Sequence, residues 1–527
     1  MHHRRSASFL VLLAAVIPSG TLFAVDADPS NYEAVVPTLT PGSTLSLAAG
    51  TYTGNLDLVG LQGTADAPIV IEGPADKSAR FTANACCNTV EITDTSHLVL
   101  RNLTIDGGGV AGVFGVSAKG SSNVVHHITI EDCLFIGHGG SQQTVAISTK
   151  SPTWGWVIRG NVIDGAGTGL YLGNSDGSQP FVDGLIERNL VKNTIGYNMQ
   201  IKYQSAWPAG TELPTDATST VIRDNVFIKN DDPSPDGDRP NVLVGGFPET
   251  GPGSENQVEI VGNFFFHNPR ESLLQASGRV SIHDNVFVDA ASSALLVTNH
   301  DLPLRRARIY HNTFYSADTA VSFGSAASEG DFVAGNLIFA GAGISGSVSN
   351  DVENLVFDVS EAATVVANPT LTLGEMDFYP LVGQAQGAAI DLSAVNSDVD
   401  FDLDFNRTDK GAATHRGAYA GDGRNPGWQL DDGLKTLNAA GGGGVGGGSG
   451  GGAEGGAGTG GESPTTNNST AAGAGDLDDR EEGGCDCRAV GSRRDHAWLA
   501  LLGVSALIVG AARRRTRSGI ARHLAGR

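Results

Sequence analysis

The chain repeats one short hydrophobic frame nine times: an aliphatic residue, two variable positions, a corner residue, one more variable position and an apolar residue. The copies read LRNLTI, IEDCLF, IRGNVI, IERNLV, IRDNVF, IVGNFF, IHDNVF, IYHNTF and VAGNLI. Their corners are Leu103, Cys133, Asn161, Asn189, Asn225, Asn263, Asn285, Asn312 and Asn336, spaced by 30, 28, 28, 36, 38, 22, 27 and 24 residues. The interval of 22 is the bare unit, and longer intervals carry inserted loops. Periods of this length indicate a solenoid or an array of supersecondary units.

Aliphatic residues three before the corner (Ile130, Ile158, Ile186, Ile222, Ile260, Ile282, Ile309) and apolar residues two after it cannot share one helical face. Short apolar runs separated by Gly and Asn are strands separated by corners. Seven corners are Asn, which tolerates the left-handed backbone and carries an amide able to bond up and down a stack. A third apolar run follows each corner unit: TVAIST, GLYLGN, YNMQIK, NVLVGG, SLLQAS, ALLVTN and AVSFGS. Three strands per coil predict an all-β, right-handed, three-sheet parallel β-helix. Its ends need caps, because open sheet edges invite pairing with other chains. At ~4.8 Å per rung, nine coils span on the order of 45 Å. A propeller blade needs four strands in about 40 residues and fits the frame less well.

The ends of the chain read as addresses. His2, His3, Arg4 and Arg5 precede an apolar run and small residues, with a cut after Ala24 or Ala27, the layout of a secretory signal. The predicted divisions are a signal over 1–27, the β-helix over 28–357, a capping segment over 358–437 and a Gly-rich flexible linker over 438–484. A Cys motif, a short apolar helix and an Arg cluster occupy 485–517, and a cytoplasmic tail 518–527. The apolar stretch 497–512 is followed by Arg513, Arg514, Arg515 and Arg517, so this membrane helix would place the body outside the cell. Of 72 Gly, 15 lie in 441–461, and the remainder still marks a turn-dense fold. Three cysteines remain outside the tail, too few for a disulfide framework: Cys86 and Cys87 form a strained vicinal disulfide, or one of them reaches Cys133.

Charge narrows the partners. The chain has 34 Lys+Arg against 57 Asp+Glu, and the exported body, without 1–27 and the tail after Cys487, carries a net charge of −32. Such a field repels polyanions, which argues against nucleic acid, and an anionic sugar polymer would need a local basic groove or bridging cations.

The repeat resembles the right-handed parallel β-helix families of the pectate-lyase type. The opening segment TPGSTLSLAAGTYTG (40–54) with GTADAPIVIEG (63–73) resembles the start of the alginate lyase and chondroitinase B group of polysaccharide lyases. The run from Gly484 to Arg517 resembles the tripartite C-terminal sorting signal of myxobacterial surface proteins, which implies processing or lipid attachment at Cys485 or Cys487. The resemblance implies a cell-surface protein that acts on or binds polysaccharide, by β-elimination if it is an enzyme. A noncatalytic glycan-binding or structural solenoid is the alternative.

In lyases of this architecture the substrate groove runs along the outer face of the third strand. Alternation points Ser148, Lys150, Tyr171, Gln200, Lys202, Gln204, Gln275, Ser277, Leu296, Thr298 and His300 outward there. Elimination at a uronate needs a cation on the carboxylate, a base at C5 and an acid for the leaving oxygen. The expected base is Lys202, with His300 and Arg239, or Arg305 and Arg306, in the other roles. Tyr171, Gln200, Gln275, Lys150 and Arg305 are the expected substrate contacts. The family holds calcium with Asn and Glu, and no such set matches here. Ca2+ remains the one cofactor in view, through Asp231, Asp232, Asp236 and Asp238 in NDDPSPDGDR, whose oxygens suit it without the EF-hand spacing. The insertions 205–219, 230–239 and 247–257 are expected to wall the groove. A glycosidase would need facing carboxyls, and the outward positions hold none. His138 in GHG reads as a corner residue, and DFDLDFN (400–406) as a strand.

Overall fold

Each aliphatic residue three before a corner, from Ile130 to Ile309, is fully buried, and so is Phe135, Ile163, Phe227, Phe265, Phe287 or Phe314 two after it. This follows from a computed structural model of the chain, which describes residues 23–84, 88–120, 124–207 and 210–437. Most coils supply three short strands, and each pairs in parallel with its counterparts one coil away. The first ladder runs from Phe23–Ala27 through Val125–Glu131 and Gln257–Val261 to Asp351–Val352. The second contains Leu134–Ile136, Val226–Ile228 and Val286–Ala290. The third contains Val145–Thr149, Met199–Ile201, Val242–Val244 and Leu295–Val297. Second and third ladders merge where Thr313–Phe323 and Leu337–Gly346 run through both. The fold is a three-ladder parallel β-helix, with Val145 and Ile147, Leu170 and Leu172, Met199 and Ile201, Val242 and Val244, and Leu295 and Val297 all pointing inward and buried, as alternation requires.

The corner between first and second ladders carries the Asn stack. Asn161 Nδ2 donates to Asn189 Oδ1 at 3.0 Å and to the Ile130 carbonyl at 2.9 Å, and the Asn161 backbone N–H donates to the same Asn189 oxygen at 3.0 Å. The pattern repeats through Asn225, Asn263, Asn285, Asn312 and Asn336. It continues to Asn354, a tenth rung that the frame misses because Asp351 stands at its aliphatic position. Cys133 occupies the slot before Asn161 as a free, buried thiol, pushed up to about 12 by burial. Two places before successive corners, Glu72, Arg101, Glu131, Arg159, Glu187 and Arg223 alternate in charge. Arg101 Nε donates to Glu72 at 2.9 Å, Arg159 Nε to Glu131 at 2.8 Å and Arg223 Nε to Glu187 at 3.0 Å.

The segment 358–437 does more than close an end. Its Phe378, Phe405 and Tyr419 pack with the outward residues Val226, Phe264, Phe266, Val286, Val288 and Leu337 of the second ladder in one buried cluster. Lys410 reaches Asp284 at 2.6 Å and Lys435 reaches Asp224 at 2.8 Å, all four side chains nearly without exposure. The expected strand at 400–406 is instead a series of turns, in which Asp404 Oδ1 accepts the backbone N–H groups of Asn406 and Thr408. Alternating Phe and Leu there serve a loop tied down by short Asx bonds. At the other end, Phe23–Ala27 pairs with Ser43–Leu47, so a signal cut after Ala27 would remove the first rung of the first ladder. Residues 1–22 and 438–527, including Cys485, Cys487 and the apolar stretch, lie outside the described residues, as do Cys86 and Cys87. Among the described residues no helix is long and apolar enough to cross a membrane.

Candidate functional site

Of the three flanks, the second ladder is covered by the chain itself over its later coils, and the first carries the Glu/Arg column. The third differs. Its outward mid-strand residues, in register, are Asp57, Glu91, Ser117, Ser148, Tyr171, Gln200, Leu243, Gln275, Leu296, Ser322 and Ser345. From Ser117 onward the nine consecutive residues of this mid-strand column are uncharged, while Lys119, Lys150 and Lys202 stand two residues further along their coils.

Two walls stand beside this column. The loop 230–239, at the corner between second and third ladders, folds back across earlier coils. Its Asp236 N–H donates to Gln142 Oε1 at 2.9 Å, Gln142 Nε2 donates to the Gly237 carbonyl at 2.8 Å, and Ser234 Oγ to the Ile195 carbonyl at 2.6 Å. At the opposite edge, Arg305 holds the loop 247–257 by donating to the carbonyls of Ser254 at 2.7 Å and Glu249 at 2.9 Å. Arg305, expected as a substrate contact, thus clamps this wall. Arg306 likewise donates to Gln257 Oε1 at 2.5 Å.

The middle of the floor is roofed. Ser148, Gln200 and Leu243 are buried and Tyr171 is 9% exposed, whereas Gln275, Leu296, Ser322 and Ser345 are partly open. Lys202, expected as an exposed groove lysine, is only 2% exposed. Glycines flank it on the neighbouring coils, Gly173 before and Gly245 after, and a Cβ on Gly173 would stand 3.3 Å from Lys202 Cβ. Alternation told which side Lys202 faces; it could not tell that the side chain is buried there. Lys150 is exposed at the early end, its Nζ 5.3 Å from the Tyr171 ring centroid and 5.6 Å from that of Phe114.

The three residues expected to share a reaction are not brought together. His300 lies three coils beyond Lys202, ~14 Å along the axis at ~4.8 Å per rung, in a turn where His300 and Leu302 bridge and Nε2 stands 3.6 Å from Asp301. Arg239 sits at the other edge of the ladder, before Val242, with its guanidinium over Tyr197 at 5.7 Å and bonded to the carbonyls of Asp238 and Asp236. The four carboxylates of the acidic loop, expected as calcium ligands, go separate ways. Asp231 meets His267 Nε2 at 3.1 Å, Asp232 accepts from Asn230 at 2.7 Å, Asp236 from Gln143 at 3.4 Å, and Asp238 faces Arg270 at 3.6 Å. Three of them tie the loop to Gln143, His267 and Arg270, and no three of the four converge.

Beneath that wall lies a residue the frame did not single out. Lys229 is buried, pushed down to about 8 chiefly by desolvation and then by Arg270, and donates to the Arg239 carbonyl at 3.1 Å. Its only sequence signal was its place directly after the second-ladder strand Val226–Ile228. His267 beside it is raised above the ordinary imidazole value, first by its hydrogen bond to Asp289 at 2.7 Å. His138 is a buried corner residue as expected, lowered to about 4 by burial. A depression of about 330 Å3 lies in the C-terminal segment by Ile390, Phe401 and Lys410, where Lys410 is already committed to Asp284.

No family model matches the chain, and no curated protein matches it. Solved structures do resemble it. An alginate lyase from Paenibacillus sp. str. FPU-7 is 13% identical, over 63% of this chain and 98% of its own, with a TM-score of 0.35. A lacto-N-biosidase from Eubacterium ramulus is 12% identical, over 63% of this chain and 68% of its own, with a TM-score of 0.37. The A-module of a mannuronan C-5 epimerase from Azotobacter vinelandii is 16% identical, over 62% of this chain and 93% of its own, with a TM-score of 0.35.

Proposed function

We propose that this is an exported solenoid that binds a polysaccharide chain along its third ladder, held at the cell surface by the segment 485–517. The observation that carries the reading is the run of nine uncharged mid-strand residues, open from Gln275 to Ser345 and walled by the loop 247–257 that Arg305 clamps. Rungs ~4.8 Å apart repeat polar side chains along the direction in which an extended glycan repeats its hydroxyls. Gln275, Thr298, Ser322 and Ser345 donate and accept without charge, and Leu296 offers an apolar face to a sugar ring. An uncharged stretch from Gln275 to Ser345, in a chain of net charge −23, favours a neutral or weakly charged polymer over a uronate.

The noncatalytic form of this reading is favoured because a base, an acid and a cation must meet at one sugar, and Lys202, His300 and Arg239 stand on different coils or edges. The test is a binding panel of neutral and uronate polymers, with a parallel search for absorbance from unsaturated ends. Binding of a neutral glycan that Leu296→Lys weakens tenfold or more, with no new absorbance, is the expected result. New absorbance that Lys202→Met abolishes would install the lyase reading instead. Retention of full binding in the Leu296 variant would remove the third ladder from consideration.

A further inference from the structure

We propose that His97, His126 and His127 form a binding site for a divalent transition-metal ion of the zinc class, on the early coils of the first ladder and separate from the glycan face. One ring nitrogen from each lies within 4.8 Å of the other two.

The placement is a product of backbone rather than of spacing. Successive residues of a strand point to opposite faces, so His126 and His127 in Val125–Glu131 should diverge. The register pairs His126 with Ser96 and Ile128 with Leu98, which leaves His127 opposite His97, one coil away. Both of these histidines adopt left-handed backbone, φ 54° and 49°. For residues with a Cβ this conformation costs roughly 1–2 kcal/mol and persists only where the surroundings enforce it. The same left-handed residue recurs on the next two coils at Gly155 and Asp183, φ 65° and 55°. With this kink in the strand the Nδ1 atoms of His126 and His127 come to 2.8 Å. The His97 ring lies on that of His127 with centroids 4.3 Å apart and planes 11° from parallel, and both meet His126 edge-on.

The surroundings suit a cation held by neutral nitrogen. Trp154 stacks on His126 at 5.3 Å and meets His127 edge-on at 4.4 Å, and on its other side packs with Val182, Trp207 and Leu213. Gly155 adds no side chain over the His127 ring, where a Cβ would stand 3.2 Å from Cδ2 and 3.3 Å from Nε2. All three imidazoles are partly buried, so their rings are fixed while an edge stays open to solvent. An all-imidazole set selects zinc, copper or nickel over calcium and magnesium, which take oxygen. Three protein ligands leave a fourth position for water or another donor.

The experiment uses the full chain without an affinity tag, stripped of metal and titrated with Zn2+ by calorimetry. One equivalent bound at micromolar Kd or tighter is expected. His97→Asn and His127→Asn keep a residue that tolerates left-handed backbone, and His126→Gln keeps the strand, so each should fold while weakening that binding at least tenfold. Unchanged affinity and stoichiometry in all three variants would overturn the proposal, since any ion held by Cys485 and Cys487 would survive them. Should a variant fail to fold, X-ray absorption of the zinc-loaded wild type decides. Imidazole nitrogen at ~2.0 Å supports the site, and a shell of sulfur at ~2.3 Å alone overturns it.

Discussion

Asn285 donates from Nδ2 to Asn312 Oδ1 at 3.0 Å, while its own Oδ1 accepts both the backbone N–H and the side-chain amide of Asn263, each within 3.0 Å. No part of Asn285 is exposed. Asn285→Leu should therefore destabilise by more than a surface change, at about 1–3 kcal/mol for each buried group left without a partner. Urea unfolding measures this. A midpoint within error of the wild type would show that the stack does not stabilise the solenoid.

The C-terminal segment should unfold together with the coils it covers. Phe405 is fully buried against Tyr419 and Trp428, with the Lys435 ammonium 3.6 Å from its ring centroid. Phe405→Ala should cost about 3–5 kcal/mol. If the segment belongs to the same cooperative unit, the loss appears as a shift of one transition. A separate early transition, leaving the main one in place, would mean that 358–437 docks without supporting the second ladder.

Acid should destabilise the fold through buried histidines. Burial lowers His138 to about 4 and His283 to about 3, and lowers His311 well below its usual value. Unfolded, each binds a proton near pH ~6.5, so below that the unfolded state takes up more protons. The stability these groups provide is present above pH ~6.5 and declines as pH falls toward 4. His267 runs the other way: its folded value is raised, so its contribution is full below pH ~6.5 and is lost as pH rises through the raised value. The unfolding free energy at pH 7 minus that at pH 4.5 should be smaller in His138→Phe than in the wild type, with the buried carboxyl of Asp284, raised to about 8 by burial, working in the opposite direction in both. An equal difference in that variant would assign the acid sensitivity elsewhere.

Lys150 and Lys202 should separate binding from folding. Lys150 is exposed over Tyr171 and Phe114, so Lys150→Ala should leave the melting temperature unchanged. Lys202 is enclosed between Gly173 and Gly245, and Lys202→Ala should lower stability by about 1–3 kcal/mol by removing a packed stem. Equal melting temperatures for both variants and the wild type would place Lys202 in solvent.

Ending the chain after Gly484 removes the Cys motif, the apolar stretch and the Arg cluster together. The body should then be recovered from the medium. If it stays on the cells, another region anchors it.

The fold was legible because a solenoid is local. Each Ile or Phe of the frame meets its own equivalent one coil away, so nine copies of one pattern specify nine repeats of one packing. The alternation of Arg and Glu before the corners was legible too, in IEDCLF, IRGNVI, IERNLV and IRDNVF, though the frame set those positions down as variable. Which side of the third strand Lys202, Gln200 and Tyr171 occupy followed from alternation by itself. Their exposure did not, because the loops beside this column are held by contacts made tens of residues away, such as Asp236 with Gln142 and Arg305 with Ser254. For the same reason no periodicity revealed that 358–437 lies on the second ladder, or that a left-handed kink sets His127 over His97. Sequence by itself determined what repeats from coil to coil. Only the tertiary structure decided what is laid over the coils, since those contacts join residues that share no period.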